Sequence, residues 1–295
     1  MKQPLVHIGY HKTATTWLQH NLLDNHELGF KRYISKNEIR DKIILPHGLD
    51  FDAASVQAWY KSKVDEDASG FEEKIPVVSS ERISGNPHSG GYDSKQNADR
   101  IAAVFPNARI LIVIREPIAA IASCYLQYVK SGGVCSLKDY IEPTRDGLAV
   151  VPLFNFEHFN YNKLINYYQS LFNDVLVLHY EDFVKAPREF CSKITSFAGA
   201  EELQDLPYAS LSNQGLSFLS CFVLRQFNKL FTKTRLNPGA LKFNKLQVEL
   251  TKILIKLESI CPSSWHKAFR ESMKDYIASK VDYSALIIEF ARIKS

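Results

Sequence analysis

Between Gly9 and Trp17 the chain reads Gly-Tyr-His-Lys-Thr-Ala-Thr-Thr-Trp, a turn carrying one lysine and three threonines directly after an apolar segment. A strand that passes through such a turn into a helix opening with Thr15-Thr16 aims several backbone N–H groups and a positive partial charge at one spot. Lys12 adds a full charge there. The chemistry this suits is phosphate binding. It is not the strict P-loop spacing, because Lys12 follows Gly9 by only three positions and Ala14 stands where a second glycine is expected. A threonine-capped helix with a solvated Lys12 is the plain structural alternative.

A second stretch repeats the theme about 100 residues later, where Ala108 to Ile114 is a near-continuous apolar run ending in Arg115-Glu116-Pro117. Such a run predicts a strand buried on both faces of a parallel sheet. Pro117 suits the first turn of a helix, and Ile118, Ile121, Ala122, Tyr125, Leu126 and Val129 continue at helical spacing. Arg115 then stands at the carboxyl end of the strand, where open α/β sheets bind ligands. Ser123, two turns on, can face the same place. A surface pair of Arg115 with Glu116 and a helix-packing serine is the alternative.

With Lys12, Thr13-Ala14, Thr15-Thr16 and Trp17 in the first stretch and Arg115 with Ser123 in the second, the chain resembles the sulfotransferase family. Members often have glycine where this chain has Ala14. The likeness extends over about residues 4–200 and includes the turn Tyr180-Glu181-Asp182-Phe183 after the last core strand; the C-terminal third matches loosely. The resemblance implies an α/β fold of three layers, with a central parallel β-sheet flanked by helices, a P-loop-like phosphosulfate-binding loop and a helical C-terminal region. It implies 3′-phosphoadenosine 5′-phosphosulfate (PAPS) as donor, 3′-phosphoadenosine 5′-phosphate (PAP) as product, and no metal.

By that resemblance Lys12 holds the bridging oxygen and the 5′-phosphate, His11 lines the donor loop, and Thr13, Ala14, Thr15 and Thr16 complete the shell with the loop amides. Arg115 and Ser123 take the 3′-phosphate and Trp17 stacks on adenine. The carbohydrate-modifying branch uses a glutamate after the strand that corresponds to 75–80, which points to Glu81 as general base. His88 in the Gly-rich loop 84–92 is the rival base, and an ion pair of Glu81 with Arg82 or Lys12 is the non-catalytic alternative. In the family a segment after the core folds back over the 3′-phosphate, a part open here to Ser212, Asn213 or Arg225, although the spacing is not diagnostic and a helix N-cap explains Ser212 to Ser217 equally well. The acceptor class implied is a small molecule, a carbohydrate or a glycolipid. Two other readings stay open: a nucleotide-dependent kinase, for which Glu81 and Glu181 are the acids available to magnesium, and a non-catalytic nucleotide-binding protein.

To position these groups, the sequence must supply strands at 4–9, 75–80, 108–114 and 175–178, and helices at 15–23, 94–104, 117–130 and 159–172. Their alternation predicts right-handed βαβ units. Residues 25–74 and 131–158 read as polar, irregular connections. Their aromatics, Phe30, Tyr33, Phe51, Trp59, Tyr60, Phe154, Phe156 and Phe159, are the expected acceptor walls.

A chain of 295 residues with 45% hydrophobic residues fits a single domain over 1–295, with the core at about 4–200 and a helical extension at about 201–295. No apolar run is long enough to span a membrane and no signal peptide is recognisable at the start, so a cytoplasmic location is expected. The five cysteines show neither metal spacing nor a disulfide framework. From Arg225 to Lys280 there are 12 Lys/Arg against Glu249, Glu258, Glu271 and Asp275. An amphipathic helical face accounts for that charge, and no nucleic-acid motif accompanies it.

Overall fold

In a computed structural model of the chain, the layering follows from which way each strand residue points. The structure describes residues 2–66, 74–143, 152–201, 206–208, 218–234, 237–238, 244–258, 262–281 and 290. Five parallel strands form one sheet: β1 (Leu5–His7), β2 (Phe30–Lys31), β3 (Ile75–Ser79), β4 (Arg109–Ile114) and β5 (Val175–His179), in the order β2-β3-β1-β4-β5. Val6, Ile8, Val78, Ile110, Ile112 and Ile114 point to one face. Leu5, Val77, Leu111 and Val113 point to the other. Both sets are fully buried, which is why the β4 sequence reads as an unbroken apolar run. Each such side chain contributes about 1.5–3 kcal/mol of burial.

Helices cover both faces. On the first lie α4 (Ser94–Val104), α5 (Pro117–Lys130) and α7 (Tyr161–Leu171), through Ile101, Ile121 and Ile165 among others. On the second lie α1 (Thr15–Asn21), α8 (Tyr180–Lys185) and α9 (Pro187–Ala198), through Leu18, Phe183 and Phe190. The C-terminal third is helical where it is described, with α10 (Phe218–Phe231), α11 (Asn244–Glu258) and α12 (Ser263–Ala278), and it adds a two-residue antiparallel pair, Lys233–Thr234 with Asn237–Pro238. The expected three-layer α/β architecture stands.

Two expectations need correction. The Tyr180-Glu181-Asp182-Phe183 segment is the helix α8, not a turn, with Phe183 buried beneath it. Residues 25–66 are far from irregular: they hold β2, the short helix α2 (Lys36–Ile39), a wide π turn (Arg40–Ile44) and α3 (Ala53–Asp65). Their caps are side chains rather than apolar patterns. Ser35 and Glu38 close a capping box on α2, and the carboxylate of Asp52 accepts from the amides of Ala54 and Ser55 at 3.0 and 3.2 Å to start α3. α3 buries only Val56 and Tyr60, too narrow a stripe to read from periodicity. Phe30, Tyr60, Phe154 and Phe159, expected on an acceptor wall, are core residues.

Arg100 ties this region to the sheet. Its guanidinium is buried and donates to the carbonyls of Ile43, Ile44 and Pro46 at 2.7, 2.9 and 2.7 Å, capping the π turn. It also lies 4.5 Å from the Phe51 ring centre. Replacing Arg100 with Met strands those carbonyls, and the expected cost is about 2–4 kcal/mol. Urea unfolding checks this; an unchanged midpoint would show that water serves the carbonyls as well.

Candidate active site

Parallel pairing puts the carboxyl ends of β1, β3 and β4 at one edge. β1 is the strand from which the chain proceeds first to β2 and β3 on one side and then to β4 and β5 on the other, the switch point where open sheets bind ligands. The loop carrying Lys12 leaves β1 at that point. Glu81 follows β3 on one side of it and Arg115 follows β4 on the other.

The loop is held from both sides of its backbone. Ile8 N and Tyr10 N donate to Leu111 O and Val113 O at 3.0 and 3.1 Å, carrying the β4 pairing beyond His7. Thr13 Oγ1 donates to Tyr10 O at 2.6 Å and closes the turn. Gly9 is required, since a Cβ there would lie 2.4 Å from His7 Nε2. Lys12 (φ 70°) and Ala14 (φ 59°) are left-handed, a conformation that costs a non-glycine residue about 1 kcal/mol or more and that turns successive N–H groups toward one concavity. Ala14 thus occupies a site that glycine would fill without strain, as the resemblance suggested. Thr15 is buried and Thr16 exposed.

Arg115 Nη1 donates to Lys12 O at 3.1 Å, and the guanidinium packs over the Tyr180 ring at 4.8 Å. Among the described residues, neither Lys12 nor Arg115 forms an ion pair with a carboxylate. Burial and then the charge of Arg115 lower the Lys12 pKa, against the opposing influence of Cys124 and Glu81. With the guanidinium on the Lys12 backbone and its charge felt at the Lys12 ammonium, an anion near both is favoured. Cys124 on α5 feels both of them, yet burial pushes its thiol up to about 12 and keeps it neutral. Ser123, its neighbour, is half-buried in the second turn of α5. The Glu116 carboxylate caps that helix, accepting from Ile118 N at 2.9 Å and Ala119 N at 2.7 Å, while Glu181 accepts from Glu116 N at 3.0 Å. Both acids therefore hold backbone.

Glu81 is half-buried, and its partner is Lys36, whose ammonium lies 3.3 and 3.1 Å from its two oxygens. Sequence reasoning looked to Arg82 and Lys12 instead. Arg82 binds Asp93 at 2.6 Å. His88 Nδ1 shares a hydrogen bond with the Tyr140 hydroxyl at 2.8 Å, and burial followed by the charge of Arg82 brings this imidazole down to about 4. His11 is likewise held well below its ordinary value by burial and by His158, His88, Arg82 and Lys12. Its Nδ1 is buried without a partner.

Trp17 is buried against Phe183, with ring centres 5.0 Å apart, and stacks on Tyr208 at 5.6 Å. Ser212 and Asn213 lie outside the described residues; Arg225 Nε reaches Val134 O at 3.4 Å. No cluster of three or more His, Cys, Asp or Glu able to hold a metal occurs among the described residues. None of their helices is long and apolar enough to cross a membrane.

The comparisons with known proteins bear on this arrangement. Residues 91–205 match the sulfotransferase family. That stretch contains Arg115 and Ser123, and the sheet shares the P-loop-like fold of solved sulfotransferases. A sulfotransferase from Alicyclobacillus acidocaldarius is 16% identical and superposes with a TM-score of 0.53, over 90% of this chain and 99% of that one. A sulfotransferase domain from the curacin biosynthetic pathway is 14% identical, with a TM-score of 0.41 over 94% and 98% of the two chains. A mouse sulfotransferase solved with PAP is 17% identical, with a TM-score of 0.34 over 70% of this chain and 61% of that one. No curated protein matches the sequence.

The buried imidazoles make a pH prediction. Burial, Lys36 and Arg32 bring His7 down to about 3, and burial chiefly brings His158 down to about 4. Unfolded, each titrates near its ordinary value of about 6.5. As pH falls the unfolded state takes up protons first, so stability is complete above about pH 6.5 and declines from there toward about pH 4. By pH 5 the expected loss is up to about 2 kcal/mol per imidazole. Urea unfolding at pH 7.5, 6 and 5 measures it, with His158→Phe expected to flatten the slope. A pH-independent free energy across that range contradicts the burial of neutral imidazoles.

Proposed function

We propose that this protein transfers the sulfuryl group of PAPS to a hydroxyl of a carbohydrate or glycoconjugate acceptor, with Glu81 as general base. The observation that carries the reading is the Arg115–Lys12 contact at the switch point. It brings the Arg115 guanidinium onto the loop that carries Lys12, neither of them has a carboxylate partner among the described residues, and Glu81 follows the strand on the other side. The loop fits the donor's charge: left-handed residues at 12 and 14 turn amides inward, and a planar guanidinium suits a phosphate.

When bound, PAPS supplies a mixed phosphate–sulfate anhydride as the electrophile. Lys12, Thr13, Thr15, Thr16 and the loop amides would hold its 5′-phosphate and the bridging oxygen, with Ala14 and His11 lining the loop. Arg115 and Ser123 would hold the 3′-phosphate. Lys12 offsets the charge that develops on the leaving oxygen. Glu81 takes the acceptor's proton as the new O–S bond forms and the old S–O bond breaks in line. For Trp17, already packed between Phe183 and Tyr208, adenine stacking requires Tyr208 to give way.

Glu81 suits the base role better than His88. Its carboxylate is half-exposed at the same edge, whereas His88 spends Nδ1 on Tyr140 and is a weak base at about 4. Arg82, the residue after Glu81, lines a groove of about 560 Å³ together with Ile44, Leu45, Leu49, Tyr92 and Gln96 among others. Apolar and aromatic side chains mixed with hydrogen-bonding ones favour a sugar.

Calorimetric titration with PAP, without magnesium, tests the donor half. Arg115→Ala is expected to weaken binding on the order of 100-fold. A screen of sugar acceptors with PAPS, using Glu81→Gln as control, tests the rest. No PAP binding, with magnesium-dependent ATP binding in its place, would sink the reading in favour of a kinase.

A further inference from the structure

The carboxylate read here as the base is already held. One ammonium, Lys36 Nζ, spans both of its oxygens at 3.1 and 3.3 Å. Neither end of this contact is loosely hung. Lys36 is the first residue of α2, whose capping box fixes the turn: Ser35 N and Oγ both donate to Glu38 Oε2 at 2.8 Å, and Glu38 N donates to Ser35 Oγ at 3.2 Å. On the other side Ser80 N donates to His7 O at 3.2 Å, and Ser84 Oγ donates to Glu81 O at 2.8 Å. The backbone at both partners is therefore set before any ligand arrives.

Several other charged groups on the elements around Glu81 are committed elsewhere. Arg82 binds Asp93 at 2.6 Å, Arg40 binds Asp41 at 2.8 Å and Lys95 binds Asp99 at 2.9 Å. Arg100 serves three carbonyls, and Lys42 lies over the Trp59 ring. Lys12 attracts Glu81 across the loop without touching it, and His7, His11 and His88 are neutral. Among the described residues, Lys36 is the cation in contact with this carboxylate.

We propose that Lys36 is a positioning residue for the transfer reaction, holding both oxygens of Glu81 beside the phosphate loop and so fixing where the carboxylate meets the acceptor hydroxyl. The inference rests on the reading of Glu81 as base. In the step it serves, the acceptor oxygen bonds to sulfur, the bond from sulfur to the bridging oxygen breaks, and the hydroxyl proton passes to a Glu81 oxygen. An ammonium that spans both oxygens leaves the carboxylate one orientation, so Lys36 presents the proton-accepting oxygen in a fixed place.

Carbon-13 NMR of protein labelled in its glutamate carboxyls tests this at pH 7.5, with the Glu81 signal assigned by its loss in Glu81→Gln. Lys36→Met should displace that signal and Lys36→Arg should leave it near its wild-type position, and both variants should bind PAP within about twofold of wild type. In Lys36→Met the kcat of PAPS turnover, followed as PAP release with water as acceptor, should fall on the order of 10-fold with little change in KM for PAPS, and Lys36→Arg should recover most of it. An unmoved Glu81 signal overturns the proposal. So does a lowered melting temperature with an unchanged kcat, the signature of a purely structural pair. Full PAP release by Glu81→Gln would instead remove the base assignment, while the Glu81 signal still decides whether Lys36 clasps Glu81.

Discussion

Everything at the candidate site hangs on the register of β1 between β3 and β4. Leu5 pairs with Val77 on one side and Arg109 on the other, so β1 and β3 end level while β4 runs three residues further beside the loop, and all three deliver Lys12, Glu81 and Arg115 to a single edge. The hydrogen bonds of Ile8 and Tyr10 to β4 extend that register past the strand, and Arg115 closes it by donating to the Lys12 carbonyl. A one-residue slip would turn His7 into the apolar layers and pull the loop off the edge. The buried polar group at the strand end opposes such a slip. His7 Nδ1 lies 2.9 Å from Ser79 Oγ, and Gln19 Nε2 donates to both Ser79 Oγ and Ser79 O at 2.8 and 3.1 Å, linking β1, β3 and α1.

The electrostatics around that edge are arranged by sign. The imidazoles of His7, His11, His88 and His158 are kept neutral by burial and by nearby cations, so they add no charge at neutral pH. The cations divide into two groups. Arg82 and Lys36 are each paired with a carboxylate and Arg100 with three carbonyls, whereas at the concavity of the loop neither Lys12 nor Arg115, which rests on the Lys12 carbonyl, has a carboxylate partner among the described residues. An anionic ligand at that concavity meets a charge that the fold has left uncompensated among its described residues.

Much of this was legible in the sequence because the site sits on periodic elements. The unbroken apolar run before Arg115 marks a doubly buried strand, and Pro117 marks the start of α5, so the place of Arg115 follows from local rules. The turn at Gly9 to Ala14 was legible through its residue types, and the strain at Ala14 is the structural counterpart of the missing glycine. What escaped has a common cause. The elements in residues 25–66 are set by caps and by one buried arginine from a distant helix, none of which leaves a hydrophobic period. Lys36 was invisible for the same reason, because its partner is 45 residues away and joined to it only by the fold. Trp17 was legible as a large ring after the loop, but not as one packed between Phe183 and Tyr208.

A crystal structure of the protein with PAP would test the central claim most directly. The account predicts the 5′-phosphate cradled by residues 12–16, the 3′-phosphate on Arg115 and Ser123, and Glu81 facing the position left by the sulfuryl group. PAP bound away from the Lys12 loop, or with its 3′-phosphate held by other residues and Arg115 still confined to the Lys12 carbonyl, would contradict it.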